Sequence, residues 1–274
     1  LSRLLGSLSD AHLKNSGDLL QRLKDIEVKN KKLASFDVKA LFTNVDVDGA
    51  MVAITKVVNA VSQDSLPVPK EDFLKLVRLC LEFGSFTFND TEYVQHQGLA
   101  MGSPLSPVAA CFYMEMLEND HFQRILGNES IWMRYVDDVI VIVPEDTDLG
   151  DKLARLNEVD HRIQFSMEEE NNQSLPFLDV MIIRTEDALK FKVHRKDTCK
   201  EDYIHFFSAH GDRVKSGIII GFYLRAYRIC SEEYLEQEIA YIQEVFRKLK
   251  YPKAMIVRCK AKASKIRRQK SQKE

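Results

Sequence analysis

Cysteine is scarce in this sequence and poorly placed for cross-linking. Cys80, Cys111, Cys199, Cys230 and Cys259 are odd in number, scattered, and never arranged as C-x-x-C. A disulfide framework is therefore not expected, and a reducing compartment is favoured. No apolar run approaches the roughly 18 residues of a membrane span, and the opening residues do not read as a signal peptide, so no membrane association is expected. Net charge is also nearly absent, at -2, so no global basicity points to nucleic acid. No internal repeat or low-complexity block precedes the C-terminal tail. The first residue is Leu1 and not Met, which suggests a fragment.

What is present is a chain of 274 residues, 45% hydrophobic and 29% charged, enough to bury a core in one large domain or two smaller ones. Charge is unevenly spread. From Lys253 onward nine basic residues, Lys273 among them, stand against Glu274 alone, a basic tail on an acidic body. Such a tail is either a solvated helix end or a nucleic-acid contact.

Hydrophobic periodicity gives the elements. Asp18 to Asn30 reads as an amphipathic helix, "KLASFDV" (32–38) as a strand, and Val47–Val61 and Asp72–Phe83 as helices separated by "LPVP". "SFTFNDTEYVQHQ" (85–97) reads as a hairpin around Asn89-Asp90, followed by a long apolar helix from Pro104 to Ile125. "IWMRYVDDVIVIV" (131–143) splits into two strands with Asp137-Asp138 as the turn. Leu149–Val159 reads as a helix, "HRIQFSM" (161–167) as a strand, and 175–196 as a second hairpin. Beyond it Leu235, Ile239, Ile242, Phe246 and Leu249 form a helical stripe. The fold class is α+β. The order of elements is that of a split βαβ core, an antiparallel sheet with helices on one face and the other face free to meet a ligand. Residues 1–184 form the mixed region and 185–274 a mainly helical one with the basic tail.

Three aspartates interrupt the apolar strands. Asp137 and Asp138 sit between Tyr135-Val136 and the run Val139–Val143, and Asp37 ends the first strand. Asp is common in turns, and Asp37 also suits a helix N-cap. Clustered carboxylates repel, and hard divalent cations relieve that repulsion. Held in a tight turn beside Asp37, the pair fits a two-metal clamp, in which one ion activates an attacking hydroxyl and the other stabilises the leaving oxygen.

"SFDVKALFTNV" (35–45), "HQGLAMGSPLSPVAA" (96–110) and "RYVDDVIVI" (134–142), in this order, resemble the three central palm motifs of reverse transcriptases. The resemblance implies a right-hand polymerase palm followed by a helical thumb, with Asp37, the Val38 carbonyl and Asp137 binding two Mg²⁺ ions (or Mn²⁺) and Asp138 less directly engaged. It implies that Phe42 lies under the sugar of the incoming nucleotide and excludes a 2′-hydroxyl. It also implies that Gln97 and Gly98 cradle that nucleotide. The plainer readings are a core Phe and an ordinary Gly-rich loop.

"LPFLDVMIIR" (175–184) and residues 194–230 narrow the resemblance to Penelope-like retroelement reverse transcriptases. Phe177, Leu178, Arg195 and Lys196 would then contact primer and template. Gly211 stands where that family usually has Pro. Asp179 reads as a surface strand residue, not a further metal ligand. Cys199, His205 and His210 do not make a convincing zinc set. Only Leu1–Ala34 precede the first motif, so the fingers are expected to be largely absent. The implied function is RNA-directed DNA synthesis on an RNA template with a DNA primer and deoxynucleoside triphosphates, in the nucleus. The alternative is an inactive retroelement remnant that retains nucleic-acid binding.

Overall fold

The computed structural model describes residues 1–196 and 198–271. Lys273 in the basic tail lies outside the described residues. Helix α1 (Ser16–Leu23) precedes β1 (Lys31–Val38), α2 (Leu41–Asn44), α3 (Val47–Ala60) and α4 (Lys70–Glu82). A hairpin of β2 (Ser85–Phe88) and β3 (Thr91–Val94) comes before α5 (Ser106–Leu117), a π-helical segment (Glu118–Phe122) and α6 (Gln123–Leu126). Next come β4 (Ile131–Tyr135), β5 (Asp138–Pro144), α7 (Leu149–Val159) and β6 (Phe165–Glu169). Strands β7 (Ser174–Phe177), β8 (Val180–Arg184) and β9 (Leu189–Val193) lead into α8 (Asp212–Ile229), α9 (Glu232–Lys248) and α10 (Lys253–Ser271). No helix of the described residues is long and apolar enough to cross a membrane.

The chain divides into two compact units, one made of residues 1–14 and 30–170, the other of residues 15–29 and the chain from 171 onward. The first unit is built on an antiparallel sheet of order β4-β5-β1-β6. Alternation assigns its faces. Phe36, Val38, Val139, Val141 and Val143 join Ile54, Val57, Phe112, Phe122 and Phe165 in one buried core. Phe36, Phe122, Trp132 and Phe165 pack there with ring centroids 5.3–6.2 Å apart, mixing stacked and edge-on contacts that add to their burial. Helix α3 starts where the Asp46 carboxylate accepts the Gly49 N–H at 2.5 Å. It buries Ala50, Ala53, Ile54, Val57 and Val58 along one side.

The opposite face carries the odd-numbered partners of β1. Asp37 stands directly across from Asp138 on β5, Asp138 from Tyr135 on β4, and Asp37 from Ser166 on β6. A slip of one residue would bury all of these carboxylates, so the apolar alternation fixes the register.

Most elements fall where periodicity puts them, and the departures have local causes. Helix α1 starts two residues before its expected span, where the Asn15 side chain accepts from Gly17 N and Asp18 N, and it ends already at Leu23. Strand β6 starts late because the Gln164 amide and the Asp160 carboxylate bind the preceding backbone as a loop. The turn between β4 and β5 is Val136-Asp137, and Asp138 already pairs in the strand.

In the second unit β7-β8-β9 form a meander. Ile219, Tyr223, Ala226, Ile239, Ile242, Phe246, Met255, Ile256 and Cys259 form the core of its helices. The three middle members of the expected stripe, Ile239, Ile242 and Phe246, are buried as predicted. The unit boundary falls near residue 170, earlier than the sequence division at 184. The reason is that β8 pairs with both β7 and β9, so the meander cannot be cut between them.

Candidate active site

The site is built from two adjacent central strands. Asp37 is exposed near the end of β1, and Asp137 and Asp138 are half-buried at the β4–β5 turn. The Val38 N–H donates to the Asp137 carbonyl at 3.1 Å, which ties the end of β1 to the turn. The structure therefore brings the three sequence-predicted aspartates together, with Asp138 and not Asp137 in register with Asp37. They do not form a closed cage: among the described residues no three His, Cys, Asp or Glu side chains converge to hold a metal by themselves. An open carboxylate pair is nonetheless the donor set that Mg²⁺ takes when substrate phosphates complete its shell.

The turn is strained. Val136 has φ 57°, a conformation a β-branched residue adopts only under constraint. The turn is contacted by Arg134 on β4, whose side chain is fully buried. Its Nη1 donates to the Val136 carbonyl at 3.0 Å. Its Nε and Nη2 form a fork to Glu118, at 2.5 and 3.1 Å, and Nη2 also reaches the Cys111 carbonyl at 3.4 Å. Burial opposes the charge of Arg134, but the Glu118 carboxylate outweighs it and holds the guanidinium above its ordinary pKa. Glu118 also accepts from Trp132 Nε1 at 2.9 Å. It lies in the π-helical segment, a departure from α geometry often found beside functional sites. One helical turn earlier Glu115 is fully buried and accepts from Gly6 N and Leu8 N. Burial raises its pKa despite those donors. The sequence reading missed Arg134, Glu118 and Glu115. A signal was present for Glu115 and Arg134, charged residues within largely apolar runs, but not for Glu118, which opens the polar stretch Glu118–His121.

Phe42, Gln97 and Gly98 are also assembled. The Leu99 N–H donates to the Phe42 carbonyl at 2.7 Å. Gly98 has φ 76°, and a Cβ there would lie 2.7 Å from the Thr43 carbonyl and 2.9 Å from that of Phe42. Only glycine permits that approach. Phe42 packs half-buried against the core, and Gln97 is exposed, its carbonyl accepting from the Gln95 side chain.

The residues expected on primer and template lie in the second unit. Phe177 is only 4% exposed, so its ring belongs to the core of the meander and not to a contact surface, a correction that follows from strand alternation. Leu178 is half-buried with φ 53°. Arg195 is engaged internally, with Nη1 3.0 Å from Glu238 and its guanidinium 3.9 Å over the Tyr241 ring. Lys196 is exposed. Asp179 was expected as a surface strand residue, but it lies half-buried in the β7–β8 turn and is engaged structurally. Arg225 Nε lies 2.9 Å from it, an ion pair whose N–H is not aligned as a hydrogen bond. Ser16 Oγ donates to its other oxygen. Trp132 is part of the aromatic core, while Tyr135 is 37% exposed.

A four-stranded antiparallel palm with paired aspartates on its central strands is the catalytic architecture of right-hand polymerases. Residues 5–170 match the model of the family described as reverse transcriptase (RNA-dependent DNA polymerase). The chain belongs to that family. Residues 202–261 match the animal helix-turn-helix domain, over the helices that the sequence reading assigned to a thumb-like region. Short links at Cys230-Ser231 and before Pro252 are the features that could have suggested it.

A telomerase reverse transcriptase of Takifugu rubripes is 26% identical over 122 residues, which is 44% of this chain and 11% of that protein. The chain thus spans about a tenth of the length of this curated relative. Among solved structures, apo telomerase from Candida tropicalis superposes with TM-score 0.59 at 13% identity, covering 90% of this chain and 47% of that one. Telomerase from Candida albicans in complex with a fragment of telomeric RNA gives 0.57 at 15%, over 90% and 42%. The Sicinivirus 3Dpol RNA-dependent RNA polymerase gives 0.53 at 9%, over 90% and 53%. These likenesses show a polymerase palm and thumb fold.

Proposed function

We propose that this chain carries the catalytic palm of an RNA-directed DNA polymerase of Penelope-like retroelement type. The observation that carries the proposal is the register placing Asp37 opposite Asp138, with Asp137 on the adjoining turn. Two Mg²⁺ ions held by these carboxylates and the Val38 carbonyl would supply activation of the primer 3′-hydroxyl and charge relief at the leaving pyrophosphate. The chain's own contribution is positioning. The β1–β5 ladder fixes the carboxylates, Phe42 excludes a ribose 2′-hydroxyl by size, and Gly98 lets the Gln97 segment approach the Phe42–Thr43 backbone. The template is RNA and the growing strand DNA. In the second unit exposed Lys196 and the basic helix α10 are suited to phosphate contact, while the Arg195 guanidinium is paired with Glu238.

The experiment is primer extension on an RNA template with Mg²⁺ and a single deoxynucleoside triphosphate. Extension that disappears with Asp37→Asn and with Asp138→Asn is the expected result. Extension undiminished by either substitution refutes the assignment. Binding of primer–template without extension would favour the inactive-remnant alternative.

A further inference from the structure

A buried arginine two residues before the strained valine raises a question the metal chemistry does not answer. An αL valine opposes its own turn, so something must hold it. From these contacts we infer that Arg134 is a positioning residue: its bond to the Val136 carbonyl locks the turn that presents Asp137 and Asp138, and Glu118 serves as the counter-ion that lets this guanidinium remain buried. The arrangement is economical in donors. Nε and Nη2 engage Glu118, and Nη1 is left to point at the turn. The main chain of the same residue is pinned as well, since Arg134 N donates to the Ala11 carbonyl and Leu13 N to the Arg134 carbonyl, both at 2.7 Å. Trp132 Nε1 donates to the same Glu118 oxygen that accepts Arg134 Nε, which further fixes the carboxylate. The guanidinium therefore has a frame on both its backbone and its charged end, and the turn is what it holds. Lysine cannot replace it, because a single ammonium cannot make the fork and reach the Val136 carbonyl together.

The consequence for metal binding rests on the polymerase reading above, whereas the hold on the turn does not. Two measurements separate them. The first is amide hydrogen exchange on the full chain and on Arg134→Lys. The amides of Val38 and Asp138 report the turn, and those of Leu33 and Ile142 report the far ends of the same strands. Protection at the first pair is expected to fall about tenfold or more while the second pair is unchanged. Unchanged protection at Val38 and Asp138, or an equal loss at all four, overturns the positioning role.

The second measurement is Mn²⁺ titration followed by electron paramagnetic resonance. Arg134→Lys is expected to weaken the Asp138-dependent uptake about tenfold, the scale of losses when a residue supporting a metal ligand is changed. Local loss of protection with unaltered Mn²⁺ affinity overturns the link to the metal. If the unmodified chain shows no uptake that Asp138→Asn abolishes, the polymerase reading falls, and the exchange pattern still decides the role of Arg134. Val136→Asn supplies a control, since Asn tolerates φ near +57°. Added to Arg134→Lys, it is expected to restore protection at the turn, or to restore folding if the single variant does not fold. Failure of that rescue counts against Arg134 as the restraint on Val136.

Discussion

Two hairpins in this molecule solve the same backbone problem with opposite uses of arginine. In each, a non-glycine residue with positive φ, Val136 or Leu178, is followed by an aspartate. At the β7–β8 turn Arg225 sits on Asp179 itself, so the carboxylate is neutralised within its own unit. At the β4–β5 turn Arg134 reaches the Val136 carbonyl and pairs its charge with Glu118. The sequences "FLDV" and "YVDDV" look alike, yet Asp179 holds a structural ion pair, whereas the function proposed above gives Asp137 and Asp138 to the chemistry.

The sharpest way to break this contrast is to remove each aspartate in turn. Asp137→Asn should lower primer extension on the order of a thousandfold, the equivalent of several kcal/mol of metal-borne transition-state stabilisation. Asp179→Asn should leave the rate constant for nucleotide addition within a few-fold and show its effect in thermal unfolding instead. Single-turnover rates alongside melting curves test both. Equal losses of activity from the two variants would sink the contrast.

The buried ion pairs of the two units offer a second comparison. Arg134 and Glu118 have side chains 0% and 3% exposed, whereas Arg195 and Glu238 are 20% and 10%. Glu118→Ala should destabilise the fold by about 3–5 kcal/mol, because it strands a fully buried guanidinium. Glu238→Ala should cost about 1–3 kcal/mol, since water reaches Arg195. Urea unfolding measures both, and a larger loss from Glu238→Ala would reverse the ranking.

At the nucleotide end of the first unit, Phe42→Ala should raise ribonucleotide incorporation relative to deoxynucleotide by roughly 10–200-fold, the range for a purely steric pocket. An unchanged preference in competition assays would return Phe42 to the role of a core residue.

How much of this was legible in sequence follows from which forces act locally. Apolar alternation set the strands, their faces and the carboxylate face, because burial has a period of two that any reader can count. The site aspartates were legible because they break that period. Which of Asp137 and Asp138 faces Asp37 was not. That depends on a two-residue turn with a left-handed valine, which a β-branched residue does not advertise. Phe177, by contrast, alternates with Leu175 on one buried face of β7, a pattern that was available in the sequence. The Arg134–Glu118 pair was invisible because its members are 16 residues apart and meet only when β4 packs against the end of α5. The similarity of residues 202–261 to the animal helix-turn-helix domain was overlooked because one amphipathic stripe looks the same in either kind of helical region.

The smallest effect concerns Glu115, which is buried one turn before Glu118 and held by two backbone N–H groups of the N-terminal segment. Burial raises its pKa in the folded state. The native chain therefore binds this proton more tightly than the unfolded chain does. The stability gained from it is fully present below the ordinary carboxyl pKa and is lost as pH rises through the raised folded value. A glutamine at this position carries no titrating proton. The stability of the unmodified chain relative to Glu115→Gln should accordingly decline across that window and then level off. Urea midpoints of the two chains, measured at matched pH values, give the difference directly and cancel the titration of every other shared group. A difference that stays flat with pH would mean that the Gly6 and Leu8 donors fully offset the cost of burying the carboxylate. The N-terminal segment would then be held as firmly to a charged Glu115 as to a neutral one.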